Sequence, residues 1–236
     1  MGNFDIKIEK FLKAFIDNGG YHNVLTGLKN TMEIAIIGLL IGIVIGTLIA
    51  SIRVLPKYRT LPKVLDKICS FYVAIFRGTP MVVQLLVFYY VLMPLLGFKI
   101  DGLNVAITVF GLNSGAYVSE IMRGGILSVD PGQLEGGRSV GMSYATTMFK
   151  IVIPQAIKNI LPTLGNEFIT LVKETSIVSF VGAMDLYKVF NDIGTNNYEF
   201  MVPYLVMAVI YIVIVCLITL GIKFMERRLR KSDRRS

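Results

Sequence analysis

The sequence predicts an all-α integral membrane protein: five transmembrane helices, with a polar, helical cytoplasmic loop between the third and fourth. Three observations predict this. Of the 236 residues, 54% are hydrophobic and only 17% charged, where a soluble domain carries about 25% charged residues. Mean hydropathy is +0.64. Apolar runs approach the ~20 residues that a bilayer crossing needs; they cover roughly 31–52, 80–97, 103–126 and 203–223, with a weaker fifth over about 162–183 interrupted by Glu167, Lys173 and Glu174.

The outer N-terminal segment, 1–30, opens with Phe4, Ile8, Phe11, Leu12 and Phe15 at helical spacing and Lys7, Lys10 and Lys13 elsewhere. This pattern predicts an interfacial amphipathic helix. No run before residue 31 has the apolar core of a cleavable signal, so the first span is expected to stay in the membrane. Gly38, Gly42 and Gly46 recur every four residues along it. Such spacing permits close helix approach, although glycine is also simply tolerated in membrane helices.

Charge placement orients the spans. Arg53, Lys57, Arg59, Lys63 and Lys67 face one acid, Asp66, after the first span. Arg138, Lys150 and Lys158 mark the third loop, and the tail over 224–236 is strongly basic. Segment 185–202 holds Asp185, Asp192 and Glu199 against Lys188. Cations mark the cytoplasmic side. The N-terminus is therefore expected outside and the C-terminus inside, with the lysines of 4–16 against the rule. The basic tail reads as an anchor on anionic lipid rather than a nucleic-acid site.

Cys69 and Cys216 make neither a plausible disulfide nor a metal site, and His22 reads as an ordinary polar residue. No GxxxxGK[ST] loop is present, so any nucleotide hydrolysis belongs to another chain and no cofactor is expected in this one. An odd span count weakens an inverted-repeat carrier.

The loop over 127–160 contains EGGRSVGMSYATTMFKIVIP, residues 135–154. Glu135 to Met148 is expected to form one or two short helices, broken at Gly141, where positive φ is easy. Pro154 restricts its predecessor and opens the next helix. Such a rigid element between membrane helices transmits a push.

Polar residues inside spans mark a cargo path, because an ionised group in the bilayer core costs about 2.5–3.5 kcal/mol. Asn113, Tyr117 and Glu120 share one helical face, with Ser114 beside them. Amide, hydroxyl, phenol and carboxylate suit a zwitterion; the alternative is a local Glu120–Arg123 pair. In Arg77-Gly78-Thr79-Pro80, Thr79 is expected as N-cap and Pro80 as the first helical residue. Free amides there would hold a carboxylate, aided by Arg77, with Gln84 one turn on. The alternative is an inner-surface helix over 62–77 with Arg77 at lipid phosphate. Glu167, Thr170 and Glu174 share a face of the fourth span beside Lys173, and Asp185 is expected at an outer mouth. A serine–lysine enzyme using Ser176 and Lys173 is a weaker reading.

These segments resemble the ABC importer permeases. Glu135, Gly136-Gly137, Gly141 and Ile151-x-Ile153-Pro154 resemble that family's E-A-A-x3-G-x9-I-x-L-P loop. Arg77-Gly78-Thr79-Pro80, Tyr117-x-x-Glu120 with Arg123-Gly124-Gly125-Ile126, and Lys173-Glu174-Thr175-Ser176 resemble its polar amino-acid branch. The resemblance implies a type I permease architecture in one transmembrane domain over 1–236, working by alternating access in a bacterial inner membrane. It implies a non-enzymatic transport subunit whose partners are a pair of ATPase subunits using MgATP and an extracytoplasmic amino-acid-binding protein. A second permease subunit, identical or a sister chain, supplies the other wall of the path. Glu135, Gly136, Gly137, Arg138, Gly141, Met142 and Ser143 would form the coupling helix docked on the ATPase, with Glu135 and Arg138 capping or pairing there. The acids Glu120, Glu167, Glu174 and Asp185 outnumber Arg77 and Lys173, which tilts the cargo toward arginine, lysine or histidine. Glutamine is the alternative cargo, and a proton-coupled carrier or channel the alternative machine.

Overall fold

The computed structural model describes residues 3–55, 58 and 60–233. Lys57 and Arg59 of the basic linker, and Arg234 and Arg235 of the tail, lie outside the described residues. Every regular element among the described residues is helical: α1 (Asn3–Leu12), α2 (Gly20–Val54), α3 (Thr60–Gly78), α4 (Met81–Val87), α5 (Met93–Leu95), α6 (Gly102–Leu127), α7 (Pro131–Ser139), α8 (Tyr144–Thr147), α9 (Ile153–Glu174), α10 (Leu186–Asn197) and α11 (Met201–Asp233). Gly20–Val54, Gly102–Leu127 and Met201–Leu229 are long and apolar enough to cross a bilayer, and a fourth span exists if α3 and α4–α5 count as one interrupted crossing.

Several boundaries differ from expectation. The first span, expected over 31–52, begins at Gly20. Hydropathy marks only the part of a helix that meets hydrocarbon, and the polar turns before it continue the same hydrogen bonding. The run over 80–97 is helical over Met81–Leu95, with a π-helical turn, Phe88–Leu92, between α4 and α5. Pro94 lacks an N–H and its ring crowds the carbonyl four residues back, so the widened turn takes up the mismatch. Pro154 acts alike: a π turn, Met148–Val152, precedes it, and Ile153 keeps helical angles of −59° and −45°. The proline was expected to push its predecessor out of the helix; the wider turn makes that unnecessary.

The fourth run, expected over 162–183, is helical from Ile153 and tightens to a 3₁₀ segment, Thr175–Val181, closed by Gly182 at φ +76°. Thr175 Oγ1 donates to the Val172 carbonyl (2.8 Å), Ser176 Oγ to Lys173 (3.2 Å) and Ser179 Oγ to Ser176 (3.1 Å). Three hydroxyls competing for carbonyls three residues back favour the tighter turn.

The chain forms two compact units. The first comprises residues 1–38, 80–111 and 170–217. Its core gathers Phe11 and Ala14 of the N-terminal helix with Val24, Leu186, Val189, Phe190, Ile193 and Val202. Phe11 stacks on Phe15 at 5.4 Å, and Lys7 pairs with Glu199 at 3.1 Å. The amphipathic face of α1 is thus partly committed to protein, while Phe4 and Leu12 stay exposed.

The second unit comprises residues 39–79, 112–169 and 218–236. One core joins Val118 and Val129 to Met148, Val152, Ala156, Ile160 and Leu164. Another joins Ile49, Cys69, Val73 and Ala116. Glycine brings α2 onto α6: a Cβ on Gly42 would lie 2.5 Å from Ser114 Oγ, and one on Gly46 2.7 Å from the Val118 side chain. The glycine repeat is therefore a packing device.

The expected pair of short helices is present in this unit. Asp130 caps α7 by accepting from Gly132 N at 2.8 Å, with Pro131 as its first residue. Glu135 lies mid-helix in α7. Gly141 ends the element at φ +86°, its N–H donating to Arg138 O (3.0 Å) and that of Met142 to Gly137 O (3.1 Å). This is a glycine C-cap. Ser143 then caps α8 by accepting from Thr146 N at 3.2 Å.

Candidate functional site

Helix α6 carries the polar face predicted for it, and its partners within the second unit give that face a different meaning. Glu120 Oε1 accepts from Arg53 Nη1. Glu120 Oε2 accepts from Arg123 Nη2 at 2.8 Å and Nε at 3.2 Å. Arg53 Nε lies 3.8 Å from Asp66 Oδ1. Glu120 is thus no lone carboxylate awaiting an ammonium. The local pair with Arg123 forms, and Arg53 joins it from 67 residues away. Sequence reading took Arg53 only as a topology marker.

One turn earlier, the Arg77 guanidinium sits 5.2 Å from the Tyr117 ring centroid, within cation–π range. Arg77 has no carboxylate partner among the described residues. Asn113 Nδ2 donates to Phe76 O at 3.2 Å and Tyr72 OH to Leu112 O at 2.5 Å. These contacts lay α3 on α6. Around this face stand three guanidiniums, Arg53, Arg77 and Arg123, against two carboxylates, Glu120 and Asp66.

Other expected site residues are placed differently. Ser114 is fully buried, and its hydroxyl, facing Gly42, has no hydrogen-bond partner among the described residues. Thr79 does not cap α4. Its Oγ1 donates to Ile75 O at 2.7 Å, and Pro80 occupies the cap position without a side-chain hydrogen bond. Glu167 is half-buried and engaged. Gln84, buried, and Thr170, exposed, belong to the first unit.

Asp185, also of the first unit, does not line a mouth. It is fully buried and caps α10, accepting from Tyr187 N (3.0 Å) and Lys188 N (2.9 Å). Burial pushes its carboxyl up to about 6 against the pull of those amides. An acid whose folded pKa is raised binds its proton more tightly when folded, so stability falls as pH climbs from about 4 through 6. The loss is on the order of 3 kcal/mol. Asp185→Asn keeps a capping oxygen and removes the charge. The drop in melting temperature between pH 5 and pH 8, measured in detergent, is therefore expected to shrink in Asp185→Asn. An unchanged drop would refute this account.

The loop presents a distinct surface. Glu135, Gly136 and Arg138 are exposed, and nothing lies within 4 Å of a Cβ built on Gly136. Gly137 is instead buried against Thr147, so the two glycines have different reasons. Val140 is 79% exposed and Phe149 72%. Large apolar groups on a polar loop are the sequence signal of a partner surface that these two residues carry.

Residues 38–231 match the family described as "Binding-protein-dependent transport system inner membrane component". The chain belongs to this family. The permease is 38% identical over 210 residues to the arginine transport system permease protein ArtQ of Bacillus subtilis (strain 168), covering 89% of this chain and 94% of that one. It is 39% identical over 206 residues to the putative glutamine transport system permease protein GlnP of Rickettsia bellii (strain RML369-C), covering 87% and 92%. A chain from the crystal structure of an amino acid ABC transporter with histidines superposes with a TM-score of 0.81 at 38% identity, over 88% of the permease and 94% of that chain. The permease thus has the type I ABC importer architecture expected from its motifs. It is a multi-pass inner-membrane transport component rather than an enzyme, and such permeases act with ATPase and binding-protein partners.

Proposed function

We propose that the permease imports a polar L-amino acid by alternating access and recognises it first through its α-carboxylate. Arg77 carries this reading. Its guanidinium rests on Tyr117 with no carboxylate of its own among the described residues, and a planar fork held on a ring is preorganised for a bidentate carboxylate. Neighbouring Glu120 is neutralised, which removes the main reason to expect a cationic cargo. A polar amino acid such as glutamine fits this balance, and the likeness to GlnP supports it. A basic amino acid is the second reading, favoured by the likeness to ArtQ.

In this proposal a pair of ATPase subunits supplies MgATP hydrolysis and docks on residues 135–154. A second permease copy or a sister chain closes the path, and the binding protein delivers cargo from outside. In this proposal α2, the interrupted α3–α5, α6, α9 with its 3₁₀ extension, and α11 make five crossings, and the charge bias of the loops argues for an N-terminus outside and a C-terminus inside. Family membership leaves no place for the proton-coupled carrier or channel.

The test is uptake of labelled glutamine and arginine by vesicles holding the purified complex. Uptake is expected only with MgATP and the ATPase. Losing a charge-assisted contact is expected to raise KM for the cargo about 10- to 100-fold in Arg77→Gln. Uptake without ATPase, or an unchanged KM in Arg77→Gln, would sink the corresponding half of the proposal.

A further inference from the structure

Arg53 closes the last turn of α2 and is largely shielded, its side chain retaining 16% of its exposure. It pairs with Glu120 of α6 and reaches toward Asp66 of α3, whose side chains keep 19% and 20%. Its Nε is buried, has no hydrogen-bond partner among the described residues, and lies 3.8 Å from Asp66 Oδ1. The same three helices meet in the apolar cluster of Ile49, Cys69, Val73 and Ala116. That cluster fixes distance but slides easily, because apolar contact is not directional. The ion pairs supply register at this end, as the Tyr72–Leu112 and Asn113–Phe76 hydrogen bonds do nearer Arg77. Helix α3 also carries Arg77 at its far end, above Tyr117 of α6.

We propose that Arg53 is a positioning residue for transport. By tying Asp66 and Glu120 together it sets the register of α3 on α6, and so the placement of Arg77 against the Tyr117 ring. This rests on the reading of Arg77 as the cargo's anchor. Arg53 touches no cargo; it acts through the two acids. The arrangement predicts a particular pattern of failure and recovery, since a half-buried charge that loses its partner is more disruptive than the loss of both.

The experiment is a charge transplant, Arg53→Asp with Asp66→Arg, read in ATP-driven uptake by the full complex. Arg53→Asp removes the cation that Glu120 and Asp66 share and sets a third acid beside them, and is expected to raise KM and lower membrane accumulation by about tenfold or more. Asp66→Arg alone sets two guanidiniums side by side and is expected to fail similarly. The double variant places the cation on α3, between the carboxylate introduced on α2 and Glu120, and is expected to recover most of both losses. If Arg53→Asp does not accumulate at all, accumulation of the double variant is the same readout. A double variant no better than the worse single, or an Arg53→Asp variant with normal KM and accumulation, overturns the proposal. If Arg77→Gln leaves KM unchanged, the cargo anchor falls, and recovery of accumulation by the transplant still judges the clamp. If Arg77→Gln acts as expected and the transplant does not recover, the clamp alone falls.

Discussion

Replacing Gly42 and Gly46 together by valine is expected to abolish accumulation of folded permease. A Cβ at 42 would stand 2.5 Å from Ser114 Oγ, 2.7 Å from Ser114 Cβ and 3.0 Å from its carbonyl carbon. One at 46 would stand 2.7 Å from Val118 Cβ and 2.8 Å from Ser119 N. Several of these obstacles are backbone of α6 or atoms fixed to it, so no rotamer change clears them and the helices must part. Parting them opens the fully buried contacts of Ser114, Ala116 and Val118. Overpacking costs about 1–3 kcal/mol per site, and two sites together approach the roughly 5–15 kcal/mol that holds a whole domain folded. In the bilayer no hydrophobic drive re-closes the gap, because lipid satisfies apolar surface as well as a helix does. Gly221 is the control: nothing lies within 4 Å of a Cβ there, and Gly221→Ala should leave the melting temperature unchanged or slightly raised. Membrane accumulation and thermal melts in detergent measure both. A double valine variant with normal accumulation and melting would show that close approach of α2 and α6 is dispensable.

The same contact shows what the sequence could and could not disclose. The four-residue glycine spacing in α2 is a local pattern and was readable. Its partner is not, because Ser114 lies 72 residues from Gly42 and nothing in its own neighbourhood distinguishes a packed hydroxyl from one offered to a cargo. Glu120 repeats the lesson. Arg123 lies one turn away and the pair is visible in the sequence, whereas Arg53 approaches from another helix and turned a count of acids into a misleading index of cargo charge. Asp185 was legible in principle: an Asp directly before Leu186, with Val189, Phe190 and Ile193 following at helical spacing, is an N-cap signal, but the expectation of an outer mouth displaced it. The π turns before Pro94 and Pro154 were not legible, since proline alone does not say whether a helix breaks or widens. The polar loop was the most legible part because its shape is set locally, by Asp130, Gly141 and Ser143.

That locality makes Gly141→Val the sharpest separation of folding from coupling, and its expected result is a permease that folds and does not transport. Gly141 holds φ at +86°, and nothing lies within 4 Å of its Cβ position, so the penalty is one of backbone alone. A left-handed conformation costs an L-residue roughly 1–2 kcal/mol, and more for a β-branched one. The chain relieves this by leaving the turn, which breaks the bonds from Gly141 N to Arg138 O and from Met142 N to Gly137 O. The cores built on Val118 and on Val73 do not include these residues, and the melting temperature should fall by only a few degrees, about 2–4 °C per kcal/mol. What moves is the relation of α7, with Glu135, Gly136 and Arg138, to the segment carrying Phe149. If an ATPase docks on that surface, its co-purification and MgATP-dependent uptake should both fall about tenfold or more, the equivalent of ~1.4 kcal/mol at the contact. Gly141→Asn should keep most of both, because asparagine tolerates the left-handed region. Loss of melting temperature in step with uptake would mean that the loop holds the fold together, and unaltered uptake in Gly141→Val would mean that force reaches the membrane helices by some other element.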